Sequence, residues 1–139
     1  MTGFLLDTNV VSELTRDEPD SRVIRFLDDQ DDLWLPSVVV FEMEYGLATR
    51  PQGRRLETLR ALHSEILAAF GDRLLSLDQS GARWAAELRA QARHAGRAVD
   101  VGDALIAGTA KAHDLAIATR NVRDFEGMDI DVVNPWEYP

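Results

Sequence analysis

Asp7, Glu42, Asp103 and Asp124 are the residues with chemical potential, because each is a carboxylate set against an apolar segment. Asp7 follows directly on the short apolar run Phe4-Leu5-Leu6 and precedes Thr8-Asn9-Val10-Val11, where apolar residues fall at helical spacing. In open α/β folds the carboxyl ends of parallel strands are where ligands bind, so an acid at that junction marks a candidate metal or phosphate site. Glu42 interrupts Val38-Val39-Val40-Phe41, a run whose neighbours all want the core, and an unpaired buried carboxylate is strongly unfavourable. Asp103 begins Asp103-Ala104-Leu105-Ile106-Ala107, and Asn121 and Asp124 lie in Thr119-Arg120-Asn121-Val122-Arg123-Asp124-Phe125. If these carboxylates converge, two of them ~4 Å apart repel by roughly 4 kcal/mol at an effective dielectric near 20. A divalent cation removes that conflict. All-oxygen ligands, with no cysteine and no histidine pair, favour Mg²⁺ or Mn²⁺ over Zn²⁺. The chemistry served is phosphodiester hydrolysis by water activated at one or two metal ions.

Each residue also has an ordinary structural use. Asp7 can cap the helix that starts at Thr8, and Asp100 and Asp103 read as a helix cap and its first-turn acid. Asp124 can be a turn residue, and Glu42 can be paired with an arginine. The dispersed His63, His94 and His113 read as surface or helix residues, and Trp34, Trp84 and Trp136 as core or interface anchors. No nucleophile-elbow serine and no Gly-rich phosphate loop occurs.

The elements that must position these groups follow from hydrophobic periodicity. Strands are expected at Gly3 to Leu6, Leu33 to Leu35, Arg73 to Leu77, Leu115 to Ala118 and Asp129 to Val133. Helices are expected from Thr8 to Leu14, after Asp20 or Ser21, from Val38 to Ala48 and ending near Gly46, from Gly53 to Phe70, from Ser80 to His94 and from Asp100 to His113. Strands alternating with helices imply a three-layer α/β/α domain with a central, mainly parallel sheet. At 139 residues the chain reads as one domain, 1–139. The absence of cysteine excludes disulfides and thiolate sites. No basic apolar leader and no membrane-length apolar run is present, so a cytoplasmic protein is expected. A net charge of -9 argues against holding nucleic acid by bulk attraction, and it favours a basic partner protein. Of 15 basic residues only Lys111 is lysine, and arginine suits bidentate contact with phosphate. Arg50, Arg54, Arg55, Arg120 and Arg123 are candidates to position an RNA backbone.

The ordered set Leu5-Leu6-Asp7-Thr8-Asn9-Val10-Val11-Ser12-Glu13, Phe41-Glu42-Met43-Glu44-Tyr45-Gly46, Asp103 to Ala110, Thr119 to Phe125 and Asn134-Pro135-Trp136 resembles the PIN-domain ribonucleases. Within them it is most similar to the VapC-like and FitB-like toxins of bacterial type II toxin–antitoxin modules. The resemblance spans essentially the whole chain. It implies a PIN-like α/β/α fold and metal-dependent RNA cleavage with Mg²⁺ or Mn²⁺. By the same resemblance Asp7 and Asp103 match metal-binding aspartates, Glu42 the motif glutamate, and Thr119 a hydroxyl that orders the acidic loop. Asn9 and Asn121 would support the site. Where many relatives carry a fourth acid after the Thr-Arg pair this chain has Asn121, so either Asp124 takes that role or three carboxylates serve with a weaker second metal position. A cognate antitoxin, a homodimer, and operator DNA reached only through the antitoxin are further implications. Two rivals remain at the level of sequence. One is a phosphatase or phosphotransferase with Asp7 as covalent nucleophile, although Asn9 stands where the second Asp would be expected; the other is a catalytically silent binding module of the same fold.

Overall fold

The computed structural model describes residues 3–139. Five strands, β1 (Phe4–Leu6), β2 (Leu33–Pro36), β3 (Leu74–Leu75), β4 (Ala116–Ala118) and β5 (Val132–Val133), form one sheet in the order β3-β2-β1-β4-β5. All four pairings are parallel. Parallel pairing requires a crossover between successive strands, which the helices provide, and it buries the sheet on both faces. Leu5 and Leu6 of β1 and Ile117 and Ala118 of β4 are accordingly fully buried, an unbroken apolar pattern rather than an alternating one.

The chain leaves β1 toward β2 and β3, then returns across the sheet to β4 and β5 on the other side of β1. Strand order therefore reverses between β1 and β4, and loops at their carboxyl ends must part there and leave a crevice. Leu6 is in register with Ala118, so the next residues, Asp7 and Thr119, emerge side by side.

Helices α1 (Thr8–Glu13), α2 (Ser21–Asp29), α3 (Ser37–Ala48), α4 (Arg54–Phe70), α5 (Gln79–His94) and α6 (Val101–Ala112) flank the sheet. Four have an aspartate at the amino-terminal cap: Asp7 on α1, Asp20 on α2, Asp78 on α5 and Asp100 on α6. Each accepts a hydrogen bond from an otherwise unpaired backbone N–H, which accounts for part of the acidic surplus in local terms. Among the described residues no helix is long and apolar enough to cross a membrane.

Some boundaries differ from those expected. β3 is two residues long because Arg73 closes a 3-10 turn, Gly71–Arg73, and β5 is confined to Val132–Val133 because Asp129 takes a positive φ of 53°. Both are edge strands, paired on one side only, where a short ladder suffices. α3 runs through Gly46 to Ala48. Its apolar run is also less buried than expected, since helical periodicity swings Phe41 and Tyr45 outward to 68% and 63% exposure while Val38 and Val39 enter the core.

The tightest helix pair is α5 with α6, where Gly81 and Gly108 let the backbones meet. A Cβ on Gly108 would collide with the Gly81 carbonyl and lie 2.6 Å from the Ala85 nitrogen, both rigid backbone atoms. Gly108→Ala is therefore expected to destabilise the fold by about 1–3 kcal/mol or more, read as a fall of several degrees in Tm by calorimetry. An unchanged Tm would mean that the two helices can separate freely.

Candidate active site

Asp7 is both a cap and a member of the site. Its Oδ1 accepts the Thr8 N–H at 2.7 Å, which starts α1, and its Oδ2 accepts the Thr119 hydroxyl at 2.8 Å. The second contact is a consequence of strand register, because Asp7 N–H donates to the Ala118 carbonyl at 3.0 Å and so locks the end of β1 to β4. Thr119 is wholly buried and Asp7 is 5% exposed. Asn9 ties the same corner together. Its Nδ2 donates to Thr119 Oγ1 at 3.2 Å and more weakly to Asp7 Oδ2 at 3.4 Å, while its Oδ1 accepts the Arg120 N–H at 3.1 Å. Asn121 contributes through its backbone, whose N–H donates to Thr119 Oγ1 at 3.0 Å.

Glu42 reaches the same crevice from α3. Among the described residues it has no arginine partner; Thr8 Oγ1 donates to its Oε1 at 2.8 Å, and its Oε2 lies beside Gly102 in the first turn of α6. Asp103 is in that same turn, behind the cap Asp100. Asp7, Glu42, Asp103 and Asp124 all line one open cleft of about 590 Å3, together with Asn9, Asn121 and Arg120. Four segments far apart in sequence thus deliver their polar residues to one place.

The cleft is electrostatically unbalanced. Burial pushes the Asp103 carboxyl up to about 7, and the charges of Asp7, Asp124, Asp100 and Glu42 add to the effect. Burial also raises Asp7, with Asp124 contributing, against the lowering effect of its bonds to Thr119 and Thr8. Glu42 is raised by burial and by Asp7 and Asp100, opposed by Thr8. Among the described residues none of the three forms an ion pair with a basic side chain. Asp124 acts on both Asp7 and Asp103, so it is electrostatically part of the cluster although its own carboxylate lies in a 3-10 turn, Val122–Phe125.

The PIN domain family model matches residues 4–130. The chain belongs to the PIN-domain family. Its relatives include VapC ribonuclease Y4jK of Sinorhizobium fredii, 40% identical over 137 residues that cover 96% of this chain and 98% of that protein. Toxin FitB of Neisseria gonorrhoeae is 38% identical over 136 residues, with 96% and 98% covered. A solved structure of FitAB bound to an IR36 DNA fragment superposes with a TM-score of 0.88 at 36% identity, covering 98% of this chain and 97% of the matched one.

Against this PIN framework, two side chains that the sequence did not single out stand out. Thr8 holds Glu42, and its signal was present only as a hydroxyl one residue after Asp7 on a helix that packs against α3. Glu13, 4% exposed, accepts the Asp20 N–H at 2.8 Å and faces Arg16 at 3.4 Å, fastening the α1–α2 connection beside the cleft. Among the candidate arginines, Arg120 lies in the cleft with its guanidinium 5.1 Å over the Trp136 ring. Arg50 lines an adjoining hollow that shares Thr8 and Glu42, whereas Arg54, Arg55 and Arg123 line neither. Trp136 is buried; Trp34 is half-buried and Trp84 is partly exposed on α5. No histidine enters the cleft. His63 is on a helix, as expected, but is buried, with Nε2 2.9 Å from Glu44 Oε1 yet off the axis of a good hydrogen bond, so neither ring nitrogen is properly partnered.

The donor set fits a hard divalent cation: carboxylate oxygens, partly desolvated, with mutual repulsion and, among the described residues, no ion pair to a basic side chain. Among the described residues no three acidic or histidine side chains converge closely enough to enclose an ion by themselves.

Two predictions test the electrostatics. Asp103 titrates higher in the folded state than its ordinary 3.8, so the folded form binds the proton more tightly. The associated stability is fully present below the unfolded value and is lost as pH rises toward about 7. In EDTA, Asp103→Asn should therefore melt higher than the parent protein above that range, by about 1–2 kcal/mol after allowance for solvent screening, with the difference vanishing in acid. A constant difference across pH would contradict it. Thr119→Val keeps the shape but removes the Asp7 hydrogen bond, and should cost about 1–3 kcal/mol in denaturant melts while raising the Asp7 titration further by NMR.

Proposed function

We propose that this PIN-domain chain is a metal-dependent endoribonuclease and the toxin of a type II toxin–antitoxin pair, working as one PIN unit. The observation that carries the reading is the cluster of Asp7, Glu42, Asp103 and Asp124 in one cleft at the point where strand order reverses, where among the described residues no ion pair joins any of the four to the lining Arg16 and Arg120. Its relationship to a protein named as a ribonuclease and to one named as a toxin supports the substrate and the role.

In this reading Asp7, Glu42 and Asp103 hold Mg²⁺ or Mn²⁺, one or two ions. The ion supplies charge neutralisation and Lewis acidity at the phosphodiester. The protein supplies geometry. Thr119 and the Thr8 N–H fix both oxygens of Asp7, and the Thr8 hydroxyl fixes Glu42, so the carboxylates need little reorganisation when RNA arrives. Asp103, whose proton is held to about pH 7 in the metal-free protein, is the group whose protonation responds most to occupancy of the cleft. Arg120, steadied on the Trp136 ring, is placed to meet a phosphate oxygen at the rim. Asp124 supplies the fourth negative charge and Asn121 acts through its backbone on Thr119. The role of fourth acid is therefore assigned to Asp124.

The partner is proposed to be an antitoxin with a basic segment, complementary to a chain of net charge -9, and DNA would be reached through it, in line with the DNA-bound FitAB assembly. A toxin homodimer and a cytoplasmic location complete the proposal. The covalent phospho-aspartate alternative is disfavoured because both Asp7 oxygens are engaged internally and Lys111 is bonded to Asp129 instead of entering the cleft.

The test is cleavage of structured RNAs with Mg²⁺ or Mn²⁺ against EDTA, followed by end mapping. Cleavage should require the metal, Asp7→Asn and Asp103→Asn should lose on the order of hundredfold or more, and Thr119→Val should lose about 10–100-fold. Metal-independent cleavage, or full activity in the two Asn variants, would refute the assignment.

A further inference from the structure

A second concavity, of about 760 Å3, lies along α5 and the connection into α6. Its lining is three arginines, Arg89, Arg93 and Arg97, with otherwise only alanine, glycine and valine, and no acid. That composition is conspicuous in a chain of net charge -9. Arg89 and Arg93 are four residues apart on α5, hence neighbours on one helix face. None of the three forms an ion pair among the described residues. Arg89 Nε is held by the Val99 carbonyl at 3.0 Å and Arg97 Nη1 by the Glu126 carbonyl, so both guanidiniums are oriented by neutral acceptors and keep their charge uncompensated. Those two carbonyls matter for location. Val99 immediately precedes Asp100, the cap of the helix whose first turn carries Asp103, and Glu126 follows Asp124 by two residues, so the arginine groove adjoins the segments that bring Asp103 and Asp124 to the acidic cleft, although the two concavities have no lining residue in common.

We propose that this groove is an RNA-backbone track, in which Arg89, Arg93 and Arg97 hold phosphates of the strand running away from the acidic cleft. The proposal rests on the ribonuclease reading of that cleft. It answers a difficulty in that reading: a strongly acidic protein must still retain a polyanion, and it does so with charge concentrated in one groove beside the chemistry. Small side chains on the floor allow close approach of the backbone, and the oriented forks suit phosphate oxygens. The three arginines are positioning residues, since they touch substrate remote from the scissile bond.

The Arg93 side chain makes no hydrogen bond or ion pair among the described residues, so Arg93→Ala should fold and melt close to the parent, and Arg93→Glu, which puts an acid in the last turn of α5, should lose no more than a few degrees in Tm. Binding of fluorescein-labelled bulk transfer RNA is measured in EDTA by anisotropy across a salt series, and cleavage of transfer RNA and of a trinucleotide is measured with Mn²⁺. The expected results are a roughly tenfold weaker Kd, a salt slope reduced by about 1 in Arg93→Ala, and recovery of both in Arg93→Lys. KM for transfer RNA should rise with kcat kept, while trinucleotide cleavage is unchanged. Unaltered transfer RNA affinity and salt slope in variants of an active parent would overturn the groove and leave the ribonuclease reading standing. Arg93-dependent transfer RNA binding by a parent that cleaves nothing with any metal would overturn the ribonuclease reading and support the groove as an RNA surface. Intact transfer RNA binding with lost binding of a fluorescent poly-glutamate peptide would make it an acidic-peptide site and overturn the proposal.

Discussion

The structure depends on the register between β1 and β4. Because Leu6 pairs with Ala118, Asp7 and Thr119 leave the sheet together, and a hydroxyl donor meets a carboxylate that has been almost fully removed from water. A one-residue slip would turn either side chain to the other face of the sheet and leave Asp7 buried without its donor. The rest of the cleft is arranged around that pair. α1 begins on Asp7, Thr8 of α1 reaches Glu42 of α3, and α6 begins at Asp100 with Asp103 in its first turn.

The same arrangement sets stability against function. Capping, strand register and helix packing each stabilise the fold locally, yet they bring like charges into one partly desolvated space and raise the carboxyls Asp7, Glu42 and Asp103 above their ordinary values. A fold free of functional demand would place an arginine there. Instead the cations lie at the rim, as Arg120 does on Trp136, or in the separate groove of Arg89, Arg93 and Arg97. In the proposed reading the acidic centre is left to a divalent cation, and substrate retention falls to the neighbouring groove.

Much of this was legible in the sequence because it rests on local rules. The strand–Asp–helix junction at Asp7, the cap at Asp100 and the amphipathic α4 follow from periodicity and capping, and their boundaries agree closely with the structure. Asp7 could be read locally only as a cap or a site candidate: one oxygen caps α1, and the long-range bond from Thr119 to the other, which places it in the cleft, has no local signal. Glu42 was identified for a partly mistaken reason: Phe41 and Tyr45 beside it face outward, and the glutamate is half-buried and held by Thr8. The arginine groove was not singled out because, although Arg89 and Arg93 stand four residues apart on α5, Arg97 joins them only where the chain turns toward α6, and in sequence they are three among 14 arginines. The edge strands β3 and β5 were overextended because apolar runs do not reveal where a ladder loses its partner.

The central claim is that the carboxylate cleft is a cation site held open by buried, mutually repelling acids. Calorimetric titration with Mn²⁺ in buffers of different ionisation enthalpy tests it most directly, because it counts protons released on binding. With Asp103 titrating at about 7 in the metal-free protein, binding near that pH should release a fraction of a proton, the release should fade at higher pH, and Asp103→Asn should abolish it. Binding without pH-dependent proton release, or release unchanged in Asp103→Asn, would contradict the account.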